Sequence, residues 1–594
     1  MNLRQELFDS ALWLAQAFFG SFLFLIILTM LLIKFSRWGK QFWQLTADYI
    51  DLKNNLKAII LFMVIVLLSL MAVRLSVLFS NWYNTMYTAL QEMNVNTFWS
   101  SIALFTVLAS IHIVLSLTNF YLSQRFIIQW RIKLNQRFID RWTANRTYYK
   151  TQYSYNQLDN PDQRIQQDIQ SFVASTLSFS TGLISAITSI VAFTLILWNL
   201  SGPLSVFNVE IPHGMVFVSF SYVLIASLFA FKIGRPLINL NFLSEKLNAN
   251  YRYSLIRIKE YAESIAFYKG EKTERNILLN QFDQVIVNVW QIVYRTLKFS
   301  GFNFVVSQTS VIFPFLIQAG RFFSQQISLG DLMQTANVFG QLDSALSFFR
   351  NSYDNFASYK ATLDRLTGFN SAMRSAEQLP MPTIHEHSDH LQVGNLTVKT
   401  PTHTTLIKQL TLDLPPDSRL LIQGPSGVGK TTLLRTFAGL WAYADGEIAT
   451  PSNALFLSQK PYLPQGSLLA ALYYPNEAPE KADYQHEEAV LQKVALAHLS
   501  EKLTRNEEWS QILSLGEQQR IAFARVLLNK PQIIFLDEAS ASMDEGLEDA
   551  MYRLLLQELP HSTIISVGHR STLKRFHTNL LHIEQDGSWR LENP

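Results

Sequence analysis

Six long apolar stretches recur along the first 320 residues of the chain. They are Ala11–Ile33, Ala58–Phe79, Phe98–Tyr121, Phe172–Leu200, Gly214–Ile233 and Phe299–Gly320. Each has about the 20 residues that a helix needs to cross the hydrocarbon core of a bilayer. Buried helices of a soluble domain are the alternative, but apolar runs of this length do not recur so often there. The pattern therefore predicts an α-helical polytopic membrane domain.

Basic residues are unevenly distributed over the loops between these stretches. The loops after the first, third and fifth stretches are rich in Lys and Arg, whereas Ser80–Thr97 and Ser201–His213 contain neither. Because basic loops face the cytoplasm, this distribution predicts an N-terminus on the outer side. Six spans would then leave the rest of the chain outside, so about seven spans are expected.

The stretch Asp331–Asn355 is the candidate for the seventh span, although it is more polar than the others. Helical spacing places its uncharged polar residues on one face and its charged residues on the opposite face. The first face holds Gln334, Asn337, Gln341, Ser344 and Ser352, and the second holds Asp343, Arg350 and Asp354. Because intramembrane polar residues usually face the bundle interior or a wet cavity, we expect this helix to line a translocation path. The alternative is internal ion pairing and packing within the bundle.

The remaining segments indicate a second domain. Leu122–Ser171 and Gly234–Lys298 have apolar residues at helix-like intervals, so the spans should continue as helices into the cytoplasm. Gln378–His390 is polar with two prolines, which is typical of a linker, and short strands and amphipathic helices follow it. The predicted organisation is an extra N-terminal transmembrane helix with its linker (1–50), a transmembrane domain (51–370), a linker (371–390) and a soluble α/β domain (391–594).

The composition of the chain restricts the classes of partner and metal site that it can have. Charged residues make up 16% of the chain, against roughly 25% in soluble domains, as expected if part of it lies in lipid. The net charge of +3 is too near neutral to argue for nucleic acid as a partner. Cysteine is absent from the sequence, which excludes disulfides and thiolate metal sites.

The chemistry-bearing motif of the soluble domain is GPSGVGKTT, which lies between a predicted strand, Arg419–Gln423, and a predicted helix. Its spacing is that of a P-loop, whose glycines let backbone N–H groups approach phosphates. Lys430 supplies a positive charge to the outer phosphates, and the Thr431 hydroxyl suits Mg²⁺. The predicted phosphate-binding residues are Gly424, Pro425, Ser426, Gly427, Val428, Gly429, Lys430, Thr431 and Thr432.

A second motif, IIFLDE, places two carboxylates after four apolar residues of a predicted buried strand. Asp537 emerges at the end of this strand and is expected to bind Mg²⁺ through water. Glu538 is expected to polarise the attacking water. Taken alone the motif would fit a strand that ends in a solvated acidic pair, but its position after a P-loop favours the catalytic interpretation.

A third motif, LSLGEQQRIAFARVLL, lies upstream of IIFLDE, and the spacing from its Arg520 to Asp537 is 17 residues. Here the chain resembles ATP-binding cassette (ABC) proteins, whose signature is LSGGQ. Ser514 and Gly516 match that signature, whereas Leu515 and Glu517 depart from its commonest form. The form LSLGEQQR is typical of subfamily D and of the SbmA/BacA-like bacterial permeases. Further matches are Gln459 in the Q-loop, Asp544 in the D-loop and His569 as the switch histidine.

The resemblance implies a homodimer that binds ATP and Mg²⁺ between two cassettes arranged head to tail. Glu538 and His569 are then catalytic, and Thr431, Gln459 and Asp537 hold the metal. Residues that reach the ATP of the partner subunit are Ser514, Gly516, Glu517 and Asp544. Nucleotide closes the pair of cassettes, and the cytoplasmic helices carry that motion to the spans.

The membrane half shares this resemblance. The segments NWYNTMYTALQ, DNPDQRIQQDI and EYAESIAFYKGEKTE are similar to segments of the same group, and the first span is similar to an extra helix before the usual six. One departure concerns adenine, which ABC proteins often stack on an aromatic residue about 25 residues before the P-loop. The corresponding segment, LTVKTPTHTTL, has no aromatic residue and places Thr400 or Val398 there.

The resemblance implies an ATP-hydrolysing transporter of the bacterial inner membrane, with the cassette in the cytoplasm. The expected activity is uptake of peptides or other bulky hydrophilic solutes, including cobalamin-like compounds. A subfamily-D transporter of fatty acyl-CoA or lipid is the alternative, but the spans hold little positive charge for a phosphate, mainly Arg74. A cassette-bearing membrane regulator that does not pump is a third possibility. It is disfavoured because Lys430, Asp537, Glu538 and His569 are all present.

Overall fold

The computed structural model describes residues 3–51, 53, 55–153, 160–202, 204–206, 209–386, 388–480 and 483–592. Asp159, the first residue of the segment DNPDQRIQQDI, and the side chain of Asp354 lie outside this described part. The chain forms two compact units. The first comprises residues 1–139 and 160–370, and the second comprises residues 140–159 and 371–594.

Long apolar helices dominate the first unit. Its elements are α1 (Leu3–Phe35), α2 (Arg37–Thr46), α3 (Leu56–Gln91), α4 (Val95–Thr143, whose last residues belong to the second unit), α6 (Pro161–Gln163), α7 (Ile169–Leu200), the hairpin β1 (Leu204–Val206) and β2 (Val209–Ile211), α8 (Gly214–Glu260), α9 (Ala262–Phe267) and α10 (Glu271–Phe323). Among the described residues, six helical segments are long and apolar enough to cross a membrane: Phe8–Phe35, Leu56–Gln91, Val95–Tyr153, Pro161–Leu200, Gly214–Glu260 and Glu271–Phe323. As predicted, α4, α8 and α10 extend well beyond the apolar stretches.

The stretch predicted as a seventh span is divided into three helices. Short turns at Ser347 and Ser352 separate α11 (Leu329–Leu346), α12 (Phe348–Asn351) and α13 (Tyr353–Glu377). α11 is absent from the six described helices with the hydropathy of a span, since amide and charged side chains interrupt its apolar positions. It nevertheless packs against α3, α7 and α10.

Polar side chains fasten α3 to α11. Asn84 Nδ2 donates to Asp331 Oδ1 (2.8 Å) and to Gln334 Oε1 (2.9 Å), and Gln334 Nε2 donates to Asn81 Oδ1 (3.0 Å). Gly330 permits the close approach, because a Cβ there would lie 2.2 Å from the carbonyl oxygen of Asn84. These side chains form a polar clamp between α3 and α11. The segment NWYNTMYTALQ supplies Asn81 and Asn84 to this clamp, and α11 supplies Asp331 and Gln334. Of the face predicted to line a path, Gln341 and Ser344 are exposed.

Charged side chains make two further contacts between elements of this unit. Asp168, before α7, is almost fully buried and accepts hydrogen bonds from Arg164 Nη1 (2.8 Å) and from Arg365 Nε and Nη2 (2.9 and 2.7 Å). Arg365 lies on α13, so the segment DNPDQRIQQDI joins α7 to α13. On α3, Arg74 Nε donates to Ser10 Oγ of α1 (3.0 Å), and its guanidinium lies over the Trp13 ring.

Two sheets organise the second unit. Its elements are α5 (Thr147–Lys150), β3 (Thr383–Glu386), β4 (Leu391–Lys399), β5 (Thr405–Leu414), β6 (Arg419–Gln423), α14 (Lys430–Phe437), β7 (Ala444–Thr450), β8 (Ala454–Leu457), β9 (Gly466–Ser467), α15 (Leu468–Tyr473), α16 (Gln485–Lys493), β10 (Asn506–Glu507), α17 (Trp509–Ile512), α18 (Leu515–Asn529), β11 (Ile533–Asp537), α19 (Glu545–Glu558), β12 (Thr563–Val567), β13 (Asn579–Ile583) and β14 (Trp589–Glu592). The larger sheet has the order β14-β13-β6-β12-β11-β8, and the smaller has the order β3-β7-β4-β5.

The topology of the larger sheet determines where its chemistry lies. Strands β6, β12 and β11 are adjacent and parallel, so their carboxyl ends meet at one edge. Ligands bind beyond such carboxyl ends in open α/β sheets. The three ends lead directly into the P-loop, His569 and Asp537, respectively. The strands are fully buried on both faces, which explains the continuous apolar runs in the sequence.

Candidate active site

The backbone conformation of the P-loop requires glycine at two positions in particular. Gly424 has φ +152°, and a Cβ there would lie 2.4 Å from the carbonyl oxygen of Ile583. Gly429 has φ +104° and packs against the Leu406 side chain. Larger residues at either position would force the loop away from its strand. The loop leads into the N-terminus of α14, whose free N–H groups favour an anion.

Lys430 begins α14 and is only 6% exposed. Its Nζ donates to the carbonyl oxygens of Gly424 and Pro425, both at 2.8 Å. Burial lowers the pKa of Lys430, while the nearby carboxylates of Glu538 and Asp537 oppose that shift. The ammonium group thus lies folded across the P-loop, where a phosphate would compete with the two carbonyl groups.

Thr431 and Asp537, both expected to hold the metal, lie next to each other. Thr431 Oγ1 donates to Asp537 Oδ1 at 3.0 Å, which joins the start of α14 to the end of β11. Burial raises the pKa of Asp537, and the Thr431 hydrogen bond opposes that shift. A hydroxyl and a carboxylate are the hard oxygen ligands that Mg²⁺ takes beside substrate phosphates, so these residues fit the metal.

Glu538 and His569 face each other across adjacent strand ends. His569 Nε2 lies 3.5 Å from Glu538 Oε1, and both side chains are partly exposed. The backbone of Glu538 has φ +49°, and its N–H donates to the carbonyl oxygen of Val567 (3.1 Å). This left-handed turn aims the carboxylate away from the strand axis. The arrangement leaves the carboxylate open to water and within reach of an imidazole.

Gln459 follows β8, and its side chain is exposed. Its carbonyl oxygen accepts a hydrogen bond from Gln519 Nε2 (2.8 Å), and Gln519 Oε1 accepts one from the Ser542 N–H (3.1 Å). Gln519 is completely buried on α18. It therefore ties the Q-loop backbone to the D-loop backbone. The sequence reasoning missed this residue, and the available signal was a glutamine on the apolar face of a predicted helix.

The signature residues form a compact N-terminus for α18. Ser514 Oγ accepts from the Glu517 N–H (3.3 Å), and Glu517 Oε2 accepts from both the N–H and the hydroxyl of Ser514 (2.9 and 2.8 Å). This is a capping box. Burial favours a higher pKa for Glu517, but the Ser514 hydrogen bonds and nearby His498 together lower it. Glu517 is thus an anion beside the helix N-terminus, in place of the commoner neutral glutamine.

The D-loop packs directly against this turn. A Cβ at Gly516 would lie 3.1 Å from the carbonyl oxygen of Ser542, and Asp544 caps α19 by accepting from the Leu547 N–H (2.8 Å). Within the described part of the chain, no hydrogen bond or ion pair joins Ser514 or Glu517 to the P-loop. The predicted site residues therefore fall into two groups, one at the strand ends and one at the start of α18.

The segment expected to hold adenine is the turn between β4 and β5. Val398 is fully buried, so only Thr400 of the two expected residues is accessible. The Thr400 hydroxyl accepts from the Thr404 N–H (3.1 Å). An exposed ring, His403, lies in the same turn and meets the Tyr443 ring edge to face at 6.3 Å.

Residues 140–153 pack on the cassette. Arg146 Nη1 donates to the carbonyl oxygen of Ala438, just after α14 (2.5 Å), and Tyr443 donates to the carbonyl oxygen of Tyr153 (2.7 Å). The Tyr153 ring meets the Trp441 ring at 5.0 Å. The segment that follows α4 is thereby attached to residues 438–443, which directly follow α14.

Comparisons with known proteins agree with this architecture. Residues 45–323 match the family described as ABC transporter transmembrane region 2, and residues 407–541 match the family described as ABC transporter. An ABC transporter ATP-binding protein of Haemophilus influenzae is 56% identical over 592 residues, which is 100% of both chains. The inner membrane ABC transporter ATP-binding protein YddA of Escherichia coli is 31% identical over 92% of this chain and 96% of that protein.

Two more distant proteins are also similar. The human lysosomal cobalamin transporter ABCD4 is 27% identical over 78% of this chain and 81% of its own length. The structure of a bacterial Atm1-family ABC exporter with ATP bound superposes with a TM-score of 0.68 at 16% identity, covering 91% of this chain and 96% of that one. The second similarity shows a shared fold.

Proposed function

Because this chain belongs to the ABC transporters and is related to their subfamily D members, we propose that it is an ATP-driven half-transporter of the bacterial inner membrane, working as a homodimer and taking up peptides or other bulky hydrophilic solutes. The observation that carries the proposal is the separation of the signature residues from the P-loop within one subunit. A cassette with this arrangement completes its site only with a second copy.

In this proposal Lys430 and the N-terminus of α14 bind the outer phosphates of ATP. Thr431 and Asp537 hold Mg²⁺, with Gln459 reaching it when the Q-loop closes. The metal ion neutralises phosphate charge when bound. Glu538 accepts a proton from the attacking water, and His569, 3.5 Å away, orients that carboxylate and stabilises charge on the γ-phosphate.

The second subunit contributes Ser514, Gly516, Glu517 and Asp544. The N-terminus of α18 supports this role, since its N–H groups and the Ser514 hydroxyl suit a γ-phosphate. Glu517 already accepts two hydrogen bonds from Ser514. Its negative charge would repel a phosphate, so we propose that it positions Ser514 and stays turned away from the nucleotide.

Movement passes to the membrane through the contacts of residues 140–153. Arg146 and Tyr153 are attached to the segment Ala438–Tyr443, which directly follows α14. A shift of α14 on nucleotide binding would therefore move this segment and with it the end of α4. Binding energy can drive transport only through such a difference between two states.

The cargo proposal rests on the charge of the membrane unit. Arg74, the main cation expected within the spans, is engaged by Ser10 and Trp13. This supports hydrophilic solutes over acyl-CoA, whose phosphates need available cations. Membership of the SbmA/BacA-like group, and hence uptake, is part of the same proposal, and the similarity to a cobalamin transporter is compatible with a bulky solute.

Reconstitution in liposomes tests the proposal. Purified protein would be inserted with its cassettes outward into liposomes loaded with labelled peptides, cobalamin or acyl-CoA in separate experiments, and Mg-ATP would be added outside, so that uptake appears as ATP-dependent release from the lumen. We expect ATP-dependent movement of a peptide or cobalamin, together with stimulated ATP hydrolysis. Movement of acyl-CoA alone would favour the lipid-transporting alternative. ATP hydrolysis without movement of any of these solutes would favour the regulator.

A further inference from the structure

His498 contacts the carboxylate oxygen of Glu517 that Ser514 does not use. Its Nε2 lies 3.1 Å from Glu517 Oε1, whereas Glu517 Oε2 accepts both hydrogen bonds from Ser514. Because an ionised carboxylate can only accept, the imidazole Nε2 carries the proton in this contact. Both oxygens of the carboxylate are therefore bound, one by the signature serine and one by a ring 19 residues earlier in the chain.

Neighbouring residues fix the position of His498 relative to α18. The ring extends from a short 3₁₀ helix in which the flanking Leu496 and Leu499 are buried in the apolar core that also contains α18. Arg520, the arginine of LSLGEQQR, donates from Nη1 to the carbonyl oxygen of Ala495 (2.7 Å). Packing and a hydrogen bond thus hold this turn, and His498 with it, beside the start of α18.

The contact contributes little to the stability of a single subunit. The His498 side chain is 56% exposed, and exposed ion pairs are weak because water screens them. Conditions change when a second cassette closes over the start of α18 with a triphosphate between them. Water is then excluded, and like charges repel more strongly in the lower dielectric. The negative charge of Glu517 must then be held away from the phosphates.

We propose that His498 is a positioning residue for the signature turn, which holds the Glu517 carboxylate away from the partner's nucleotide and leaves Ser514 facing it. Without His498, one oxygen of the carboxylate is unbound, and repulsion from the phosphates can turn it. Ser514 is bound to the other oxygen and would be displaced with it. The inference rests on the proposed closure of two cassettes over ATP and adds a residue outside the signature motif.

Substitution of His498 tests the inference in the full-length protein. His498→Ala should lower kcat for ATP hydrolysis roughly 10-fold, as for loss of a hydrogen bond to a charged group in a closed site. Its affinity for ATP should change less than about 2-fold, because the P-loop of the same subunit supplies that binding. The thermal midpoint should stay unaltered, since the capping box between Ser514 and Glu517 remains.

Two further variants control this measurement. His498→Gln keeps an N–H donor and should restore kcat to within about 2-fold of the unmodified protein. His390→Ala removes an imidazole that contacts Asp413 at 2.9 Å on the smaller sheet, and it should leave kcat unaltered. An unaltered kcat in His498→Ala, or equal losses in His498→Ala and His498→Gln, would overturn the inference.

Mixed dimers show whether His498 acts on the opposite subunit's nucleotide. Lys430→Ala silences the P-loop of its own subunit. With His498→Ala on the other subunit, the altered turn faces the silent P-loop, so turnover should equal that of Lys430→Ala with an unmodified partner. With both substitutions on one subunit, the altered turn faces the intact P-loop, and turnover should be roughly 10-fold lower. Equal turnover in the two arrangements would overturn the inference.

The charge of Glu517 is tested by combining substitutions. A neutral amide is not repelled by phosphate, so its position need not be held. We therefore expect His498→Ala to change kcat less than about 2-fold when it is added to Glu517→Gln, against roughly 10-fold in the unmodified protein. A 10-fold loss in both backgrounds, or the absence of turnover in Glu517→Gln itself, would contradict a role through the carboxylate.

Ser514→Ala, placed in the same two mixed dimers, separates this inference from the proposed dimer. If Ser514→Ala distinguishes the two arrangements and His498→Ala does not, only the role of His498 is wrong. If neither distinguishes them, the shared nucleotide site also fails. If His498→Ala behaves as expected but no solute moves with ATP in liposomes, the inference stands and the transport proposal fails.

Discussion

The Gln519 side chain donates a 2.8 Å hydrogen bond to the main-chain oxygen of Gln459 and accepts one from the Ser542 N–H. One buried amide thereby sets the spacing between the Q-loop and the D-loop. These loops carry residues with different expected tasks, one at its own nucleotide and one at the partner's. A change in this spacing should consequently affect turnover more than nucleotide affinity.

Replacement of Gln519 by Met tests this relationship. The volume is kept, but the Gln459 carbonyl group and the Ser542 N–H, which are part-buried, lose their partner, at a cost of about 0.5–1.5 kcal/mol for each hydrogen bond. We expect kcat for ATP hydrolysis to fall roughly 10-fold while KM changes less than about 2-fold, as for an interaction that matters mainly in the transition state. Steady-state kinetics would measure both values.

Two further variants control the Gln519 experiment. Gln519→Glu keeps the acceptor for Ser542 but removes the donor to Gln459, so it should show which of the two bonds matters more. Gln511→Met makes the same change at an exposed glutamine of α17 and should leave kcat unaltered. A rise in KM with unchanged kcat in Gln519→Met would refute the spacing role.

Glu538→Gln should abolish nearly all ATP hydrolysis and preserve ATP binding. The amide keeps the size of the side chain but cannot accept the proton of the attacking water, a loss worth roughly 100- to 10,000-fold. Phosphate release and equilibrium ATP binding would be measured in parallel. Glu545→Gln, at the start of α19, is the control and should remain active. Near-normal turnover in Glu538→Gln would remove Glu538 from the proposed role.

Ser514→Ala should slow hydrolysis at the opposite subunit of a mixed dimer. In a dimer with one Ser514→Ala subunit and one Lys430→Ala subunit, the two altered groups can fall on the same composite site or on different ones. If signature and P-loop act in trans, they fall on the same site and the other site remains complete. We therefore expect about half of the normal turnover from this mixed dimer.

A cap-matched variant provides the control for Ser514. Ser467 caps α15 by accepting from the Ala470 N–H (3.2 Å), and its loss should cost a similar amount of helix stability, about 1 kcal/mol. A mixed dimer of Ser467→Ala and Lys430→Ala should therefore show the turnover that Lys430→Ala alone permits with an unaltered partner. Near-complete loss of turnover in the Ser514 mixed dimer would indicate sites formed within one subunit.

Gly330→Ala should destabilise the membrane unit. The added Cβ would lie 2.2 Å from both the Asn84 carbonyl oxygen and Thr88 Oγ1, so α3 and α11 would have to separate and their polar clamp would break. Overpacking of this kind costs about 1–3 kcal/mol. Thermal unfolding in detergent would detect the change as a lower midpoint. Gly340→Ala on the same helix has open space for its Cβ and should leave the midpoint unaltered.

Sequence reasoning worked best where the structure of a short segment is determined by the residues within that segment. The P-loop glycines, the position of Asp537 after its strand and the pairing of Thr431 with Asp537 all follow from local spacing and parallel strand order. It worked less well for α11. Its polar face was predicted as a single lining surface, yet Gln334 is used in the clamp with Asn81 and Asn84.

The sequence by itself determined the apolar spans, the order of the two units and the chemical groups around a phosphate, because hydrophobic length and motif spacing act within one segment. The tertiary structure alone decided that Gln519 joins two loops and that Asp168 meets Arg365. Periodicity places a residue on a face of its own helix. Which neighbour covers that face depends on how distant elements pack, and packing is a property of the whole fold.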